Sequence, residues 1–288
     1  MSGPAFHGAL DAVAAGIFPL PQSGCEHAQR TCPALDAGPS GIREIQRPPR
    51  ARRRARFHCR TPALPHPSVW LVSVGSRQLY DAAATRRIDT AAGTDWGLDG
   101  ATLMARAGEA AFDALTERWP QVRRILVLAG AGNNAGDGYV VARAAQAAGI
   151  EVTLAQLLPP PGAGSAHAHA EALAQTDIRR LDATAVPAWC AASAERDTPG
   201  STVVVDAVFG SGLGRAVTAP LDALFAKLNA IGLPTLALDI PSGVAADNGA
   251  VLGAALRADL TVTFIARKLG QYTGAGVDYV GELVLADL

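Results

Sequence analysis

The 288-residue chain predicts an α/β fold in three layers, a mostly parallel sheet held between two sets of helices. Three observations predict it. Short apolar runs alternate with helical stretches of about 12 residues, the rhythm of a parallel sheet with crossover helices. The apolar runs are continuous and rich in β-branched residues, as in strands covered on both faces. Three of them end in polar, glycine-rich loops, and open α/β sheets bind ligands at the carboxyl ends of their strands.

Regular patterning begins near Gly75. Gln78 to Ala92 reads as a helix, with Leu79, Ala82, Ala83 and Ile88 on one side. Ala101 to Trp119 reads as a second, with Asp99 and Gly100 at its start and Pro120 at its end. Arg124 to Ala129 is the first strand, and the Gly/Asn loop 130–136 follows it. Asp137 to Ala148 is helical, stopped by Gly149, and Glu151 to Leu157 is the next strand. After Pro159-Pro160-Pro161-Gly162, Ser165 to Gln175 reads as helix and Ile178 to Leu181 as a short strand. Thr202 to Asp206 is a clear strand. Pro220 suits the first turn of a helix running to Ile231. Strands at Pro234 to Leu238, Leu260 to Ile265 and Leu283 to Leu285 complete the pattern.

Residues 1–75 differ in texture. They carry nine arginines against four acids, net +5, whereas residues 76–288 carry 16 basic and 22 acidic residues, net −6. The first part concentrates its arginines between Arg47 and Arg60 among prolines and shows no sustained period of 2 or 3.6, so little or no fold is expected there. It reads as an extension without function, a targeting segment or a binding arm. No aromatic platform accompanies its basic cluster, so a nucleic-acid partner is not expected. The second part, 76–288, reads as the folded domain. Hydrophobic residues make up 49% of the chain and charged ones 18%, which excludes global disorder, and no run approaches the roughly 18 apolar residues of a membrane span. The four cysteines, Cys25, Cys32, Cys59 and Cys190, form no C-x-x-C pair, which argues against a disulfide scaffold or a zinc domain.

The three loops are Gly130-Ala131-Gly132-Asn133-Asn134-Ala135-Gly136-Asp137-Gly138, Asp206 to Arg215, and Asp239-Ile240-Pro241-Ser242-Gly243. One such loop is most often only a turn. Three at strand ends, each with carboxylate or amide oxygens, predict a shared site. Gly130-x-Gly132-x-x-Ala135 matches a dinucleotide fingerprint, but the acid that should end the second strand is missing, since Gln156-Leu157-Leu158 stands there. No Gly-Lys-[Ser/Thr] and no G-x-S-x-G occurs, which removes Walker A and nucleophile-elbow chemistry. A nicotinamide-dependent dehydrogenase would also need a catalytic His or Lys–Tyr pair, and none can be placed.

Taken together, Asn133-Asn134-x-Gly136-Asp137, Asp206-Ala207-x-Phe209-Gly210-x-Gly212-x-x-Arg215 and Leu238-Asp239-Ile240-Pro241-Ser242-Gly243 resemble the NAD(P)H-hydrate epimerase family, the YjeF N-terminal domain. The resemblance spans about residues 76–288 and includes Leu79-Tyr80-Asp81-Ala82-Ala83, Ala101-Thr102-Leu103-Met104 and Arg257 to Phe264. Ala135 stands where the family usually has Gly, and Leu269 where it usually has Pro. The resemblance implies a Rossmann-like sandwich and an isomerase that interconverts the R and S forms of hydrated NADH and NADPH (NADHX and NADPHX). A separate ADP- or ATP-dependent dehydratase then returns the S form to the working cofactor. The chain ends about where such an epimerase domain ends, so it is expected to be either a stand-alone epimerase or a piece of a longer protein. A homodimer and a cytoplasmic location are further expectations, with no membrane partner.

The same resemblance implies the site. Asn133, Asn134, Ala135, Gly136 and Asp137 line the substrate, as do Gly210, Ser211, Gly212, Leu213, Gly214, Arg215 and Ala216, with Asp239. Asn134, Asp206 and Ser242 hold a potassium ion (K+), an ion content with amide, carboxylate and hydroxyl oxygens. Asp239 is the first candidate for acid/base work, with Asp137 and Asp206 as alternatives. Lys268, one of two lysines in the chain, reads equally as a surface residue, a phosphate ligand or a loop closure. The competing expectation is a non-catalytic scaffold on the same fold. Such proteins usually lose the polar loop residues, which this chain keeps.

Overall fold

The computed structural model describes residues 78–286 and 288. The expectation about residues 1–75 lies outside them. Among the described residues seven strands form one sheet: β1 (Arg124–Ala129), β2 (Glu151–Gln156), β3 (Arg179–Leu181), β4 (Thr202–Ala207), β5 (Thr235–Leu238), β6 (Leu260–Phe264) and β7 (Glu282–Ala286). Their spatial order is β3-β2-β1-β4-β5-β6-β7, and every neighbouring pair is parallel. The chain moves outward from β1 to β3, returns to lay β4 beside β1, and moves outward on the other side. The reversal between β1 and β4 is the topological switch point where sheets of this class open a crevice.

The helices are α1 (Ala82–Trp96), α2 (Gly100–Arg118), α3 (Asn133–Ala147), α4 (Gly164–Ala174), α5 (Val186–Arg196) and α6 (Leu221–Ile231). Side chains on a strand alternate between faces, and the core divides accordingly. Ile125, Val127, Ala129, Val203, Val205 and Ala207 pack with α2 and α3. Leu126, Leu128 and Val204 pack with Cys190 of α5 and Phe225 of α6. Both faces are therefore covered, and the continuous apolar strands need no polar side.

Three boundaries differ from the sequence reading for physical reasons. The expected helix 78–92 begins at Ala82, because the Asp81 carboxylate caps it by accepting from the Ala84 N–H at 2.5 Å. Residues 78–81 instead run extended, and Tyr80 pairs with the segment beside Lys268. The expected loop 130–136 is helical from Asn133 onward. Asn and Gly disfavour helix, but Asn134 to Ala142 are all buried, and packing overrides propensity. Helix α5 was not expected at all. Its buried Val186, Cys190 and Ser193 lie among alanines, which blur the helical period.

Two glycines are fixed by close approach. A Cβ on Gly130 would lie 1.9 Å from the Val208 carbonyl oxygen, and one on Gly138 would lie 2.5 Å from Ala207 Cβ. The first lets the two switch-point loops touch, and the second seats α3 on the sheet. No helix among the described residues is long and apolar enough to cross a membrane.

At the opposite end of the sheet, Arg124 Nη1 reaches Asp197 Oδ2 at 2.7 Å and Arg124 Nε reaches Glu151 at 2.9 Å. The Thr202 hydroxyl donates to Asp197 at 2.5 Å. This bond first, then Arg196 and Arg124, holds the Asp197 carboxyl at about 2 against the pull of burial. A carboxylate whose pKa is depressed in the fold adds stability above its unfolded value, and that stability is lost as pH falls through the folded value. Asp197→Asn should therefore melt below the parent at neutral pH, with the gap closing between about pH 4 and pH 2. Thermal melts across that range check it; a constant gap would show that Asp197 acts through packing.

Candidate functional site

The carboxyl ends of β1, β4, β5 and β6 surround a cavity of ≈ 780 Å³. Of the residues expected to bind substrate, Asn133, Asn134, Asp137, Gly210, Ser211, Gly212, Leu213, Gly214, Arg215 and Asp239 line it. The structure does not bring Ala135, Gly136 or Ala216 to its wall. The Ala135 methyl lies in the core with no exposure, which is how this position accommodates Ala where Gly is usual. Gly136 faces Met104 and Ala166.

Asp239 follows the last residue of β5 with φ 67°, in the left-handed region. The Ile240 N–H bonds back to the Leu238 carbonyl at 2.8 Å, so Asp239 is the central residue of a γ-turn of the rare, strained hand. Ile265 repeats this after β6, with φ 67° and the Ala266 N–H on the Phe264 carbonyl at 2.6 Å. Non-glycine residues in such conformations cost about 1–3 kcal/mol each and persist only where their surroundings over-determine them. The surroundings of Asp239 do so. Its N–H donates to Val262 at 2.8 Å, its carbonyl accepts from Gln271 Nε2 at 2.8 Å, and its Oδ2 accepts from the Ser211 N–H at 3.0 Å. Its Oδ1 is paired with Lys268 Nζ.

Lys268 is the residue whose weight the sequence hid. It is 0% exposed, not a surface lysine. Its ammonium also donates to Thr263 Oγ1 and to the Phe264 carbonyl, both at 2.8 Å, so all three of its donors are used. Neighbouring Leu269, with an N–H that Pro would lack, donates to the Tyr80 carbonyl at 2.9 Å. That bond ties the entry of α1 to the Lys268 turn.

The two cavity carboxyls sit in opposite environments. Burial pushes the Asp239 carboxyl up, but the Lys268 charge and the bonds from Lys268 and Ser211 outweigh it and hold it below the usual range. Asp137 is 9% exposed, and no hydrogen bond among the described residues reaches its carboxyl. Burial, then the charges of Asp239 and Asp89, push it well above the usual range, and Lys268 only partly offsets them. Asn134 is 7% exposed, and both polar atoms of its amide lack a partner. Buried amides are nearly always bonded, so this one is set for a ligand or an ion.

Beneath the loops, Asp206 is 0% exposed. Its Oδ2 accepts from the Ser242 N–H at 2.8 Å and its Oδ1 from the Ser242 hydroxyl at 2.6 Å. Burial raises its pKa to about 6 in spite of these bonds. The structure thus brings Asp206 and Ser242 into contact, with Asn134 beside Gly210 in the adjoining loop.

The second strand carries no ribose-binding acid of the Rossmann kind. Gln156 stands where a ribose-binding acid would be. Its Nε2 donates to the Gly130 and Leu158 carbonyls at 2.8 Å each, and its Oε1 accepts from the Tyr139 hydroxyl at 2.8 Å. That corner is filled by the protein itself. Sequence reasoning also missed the wall given by α1, with Thr85, Arg86 and Asp89. No local motif marks it; only the fold brings that helix over the cavity.

Comparison with known proteins follows from this geometry. Residues 100–270 match the family model described as YjeF-related protein N-terminus. The chain is 42% identical over 211 residues to a bifunctional NAD(P)H-hydrate repair enzyme of Coxiella burnetii, covering 72% of this chain and 40% of that one. It is 35% identical over 212 residues to an NAD(P)H-hydrate epimerase of Limosilactobacillus fermentum, covering 74% of this chain and 97% of that protein. The chain thus spans about two fifths of the first relative and nearly all of the second. Among solved structures, yeast ynu0 (YNL200c) shares the fold with a TM-score of 0.57 at 20% identity, over 68% of this chain and 83% of that one. With seven parallel strands, the switch-point cavity and a family match over most of the described residues, the chain belongs to the YjeF-related N-terminal family.

Proposed function

We propose that this chain epimerises NADHX and NADPHX at C6 of the hydrated nicotinamide ring. The observation that carries the reading is the pair of carboxyls that line one cavity, Asp239 paired with Lys268 and pulled toward its ionised form, Asp137 buried without a partner and pushed toward its neutral form. Departure of the C6 hydroxyl breaks a C–O bond, pushed by the ring nitrogen lone pair, and the leaving oxygen needs a proton. Return of water to the opposite face requires that a proton be taken away. A protonated Asp137 supplies the first role and an ionised Asp239 the second, and bulk water resets both. The two relatives' names support this substrate class. The bifunctional name of the Coxiella burnetii relative also supports coupling to a second repair activity, which we take to be a dehydratase that consumes the S form.

The remaining walls suit the rest of such a ligand. The N-terminus of α3, which has no side-chain cap, lines the cavity with Asn133 and Asn134, and Arg215 lines it too. Both favour a pyrophosphate. The residues at Asn134, Asp206 and Ser242 also fit a potassium ion. An unpartnered amide oxygen and a fully buried carboxylate without a cation form an all-oxygen donor set. Bound there, the ion would supply positive charge that favours an anionic substrate.

The decisive assay mixes the protein with both epimers and an S-specific dehydratase. Consumption of the R form should exceed the spontaneous rate, and no acceleration would leave the scaffold reading standing. Asp137→Asn should lower turnover by roughly 100-fold or more while ligand affinity changes little; Asp239→Asn should lower turnover likewise, and its melting temperature should fall because Lys268 loses its anion. A raised Michaelis constant with turnover intact would reduce either residue to binding. Asp206→Ala should abolish potassium-dependent thermal stabilisation, whereas Asp222→Ala, in the first turn of α6, should retain it. Equal effects from both would count against the ion site.

A further inference from the structure

Helix α1 lies outside the segment matched by the family model, yet it closes one side of the cavity. It is fixed there by more than side-chain packing. The Tyr80 N–H donates to the Arg267 carbonyl at 2.9 Å, the Leu269 N–H donates to the Tyr80 carbonyl at 2.9 Å, and the Ala82 N–H donates to Asp247 Oδ1 at 2.7 Å. These bonds lock the helix entry to the turn that carries Lys268. About two turns further on, α1 presents Asp89 at the cavity wall.

The charges around Asp137 can be named element by element. Helix α1 gives Asp89 and Arg86, the turn after β5 gives Asp239, the turn after β6 gives Lys268, and the loop after β4 gives Arg215. Helix α2 contributes the uncharged Gly100, Leu103, Met104 and Ala107, and Leu288, the last residue of the sequence given, also lines the cavity. Lys268 is already committed to Asp239 and two oxygens. Asp89 has no ion pair and no side-chain hydrogen bond among the described residues. Asp137, nine-tenths buried and without a partner, and Asn134, with its amide unpaired, mark this wall as a place where a ligand completes the bonding.

We propose that Asp89 is a positioning residue for the reaction, its negative charge at the cavity wall keeping the proton on Asp137 until the leaving oxygen takes it. The proposal rests on the reading of Asp137 as the acid given above. The direction agrees with the field at Asp137, where Asp89 is the second charge, after Asp239, that disfavours ionisation. Asp89 is an exposed residue, and partial loss of hydration at its carboxyl, then the Asp239 charge, raise it, with Lys268 opposing. Asp239 thus biases both Asp137 and Asp89, and Asp89 biases Asp137, while Lys268 pairs directly with Asp239 alone. Turnover that needs a protonated Asp137 falls as pH rises through its pKa. Removing a nearby negative charge lowers that pKa, so the falling limb moves to lower pH.

The test is the pH profile of epimerisation for Asp89→Asn and Asp89→Glu, beside Asp137→Asn. Asp89→Asn should shift the falling limb to lower pH, with turnover on the limb about threefold below the parent and the deficit shrinking as pH falls. Asp89→Glu, which restores the charge, should return the limb toward the parent position. Because the charge acts through space near solvent, the shift should be larger at low than at high ionic strength. Melting temperatures establish that each variant is folded; should Asp89→Asn not fold, the same shift is sought in Asp89→Ser. A limb that stays in place in a folded, charge-free variant overturns the role of Asp89 while leaving Asp137 as the acid. Full turnover in Asp137→Asn overturns the underlying reading instead.

Discussion

A lysine ammonium with no exposure is the constraint on which the rest of the site depends. Removing such a charge from water costs several kcal/mol unless an anion and further acceptors replace the lost hydration. Lys268 finds all three acceptors within one turn of the β5 and β6 ends. That requirement explains the backbone around it. Asp239 must sit in a left-handed turn to aim its carboxylate at Nζ while its other oxygen meets the Ser211 N–H. Gln271 then clamps the Asp239 carbonyl, and its Oε1 accepts from the Lys268 N–H at 2.8 Å. Breaking the pair from either side would strand a buried charge, at about 3–5 kcal/mol.

The same pairing divides labour between the cavity carboxyls. Lys268 pairs with only one of the three acids, so Asp239 is pulled toward its ionised form and Asp137, buried and without a paired cation, is driven toward its neutral form. Two groups of one chemical kind thereby acquire opposite proton affinities within a single cavity, which acid–base work at one carbon atom requires. The fold supplies this asymmetry cheaply. Asp239 and Lys268 come from neighbouring strand ends, and Asp137 comes from a helix seated on the sheet through Gly138.

Much of this was legible in the sequence. The alternation of apolar runs and helices gave the parallel sheet, because strands covered on both faces leave a simple pattern. The loops at Asn133–Asp137, Asp206–Arg215 and Asp239–Gly243 gave most of the cavity wall, because the carboxyl edge of a parallel sheet gathers them. What stayed hidden depends on distances between segments far apart in the chain. Lys268 has no local signal that distinguishes a buried ammonium from a solvated one. Asp89 lies on a helix with charged and alanine residues on several sides, and long-range bonds from Tyr80 and Ala82 to Arg267, Leu269 and Asp247 bring it to the cavity. The helical start at Asn133 was masked by residues that usually form turns, and the small side chains of α5 by a weak period.

The two strained turns that end β5 and β6 have a bearing on engineering. At Asp239 and Ile265 glycine would adopt the observed φ without strain. Relief of backbone strain, taken alone, would therefore favour glycine at both places. At Ile265 the exchange gives up an apolar patch of cavity wall; at Asp239 it removes a carboxylate and leaves an ammonium buried without its anion. The most relaxed backbone for this sheet edge and the backbone that holds its acid chemistry are thus different molecules. A thermostabilised descendant of this chain would need its gains made at the far end of the strands, around Arg124 and Asp197.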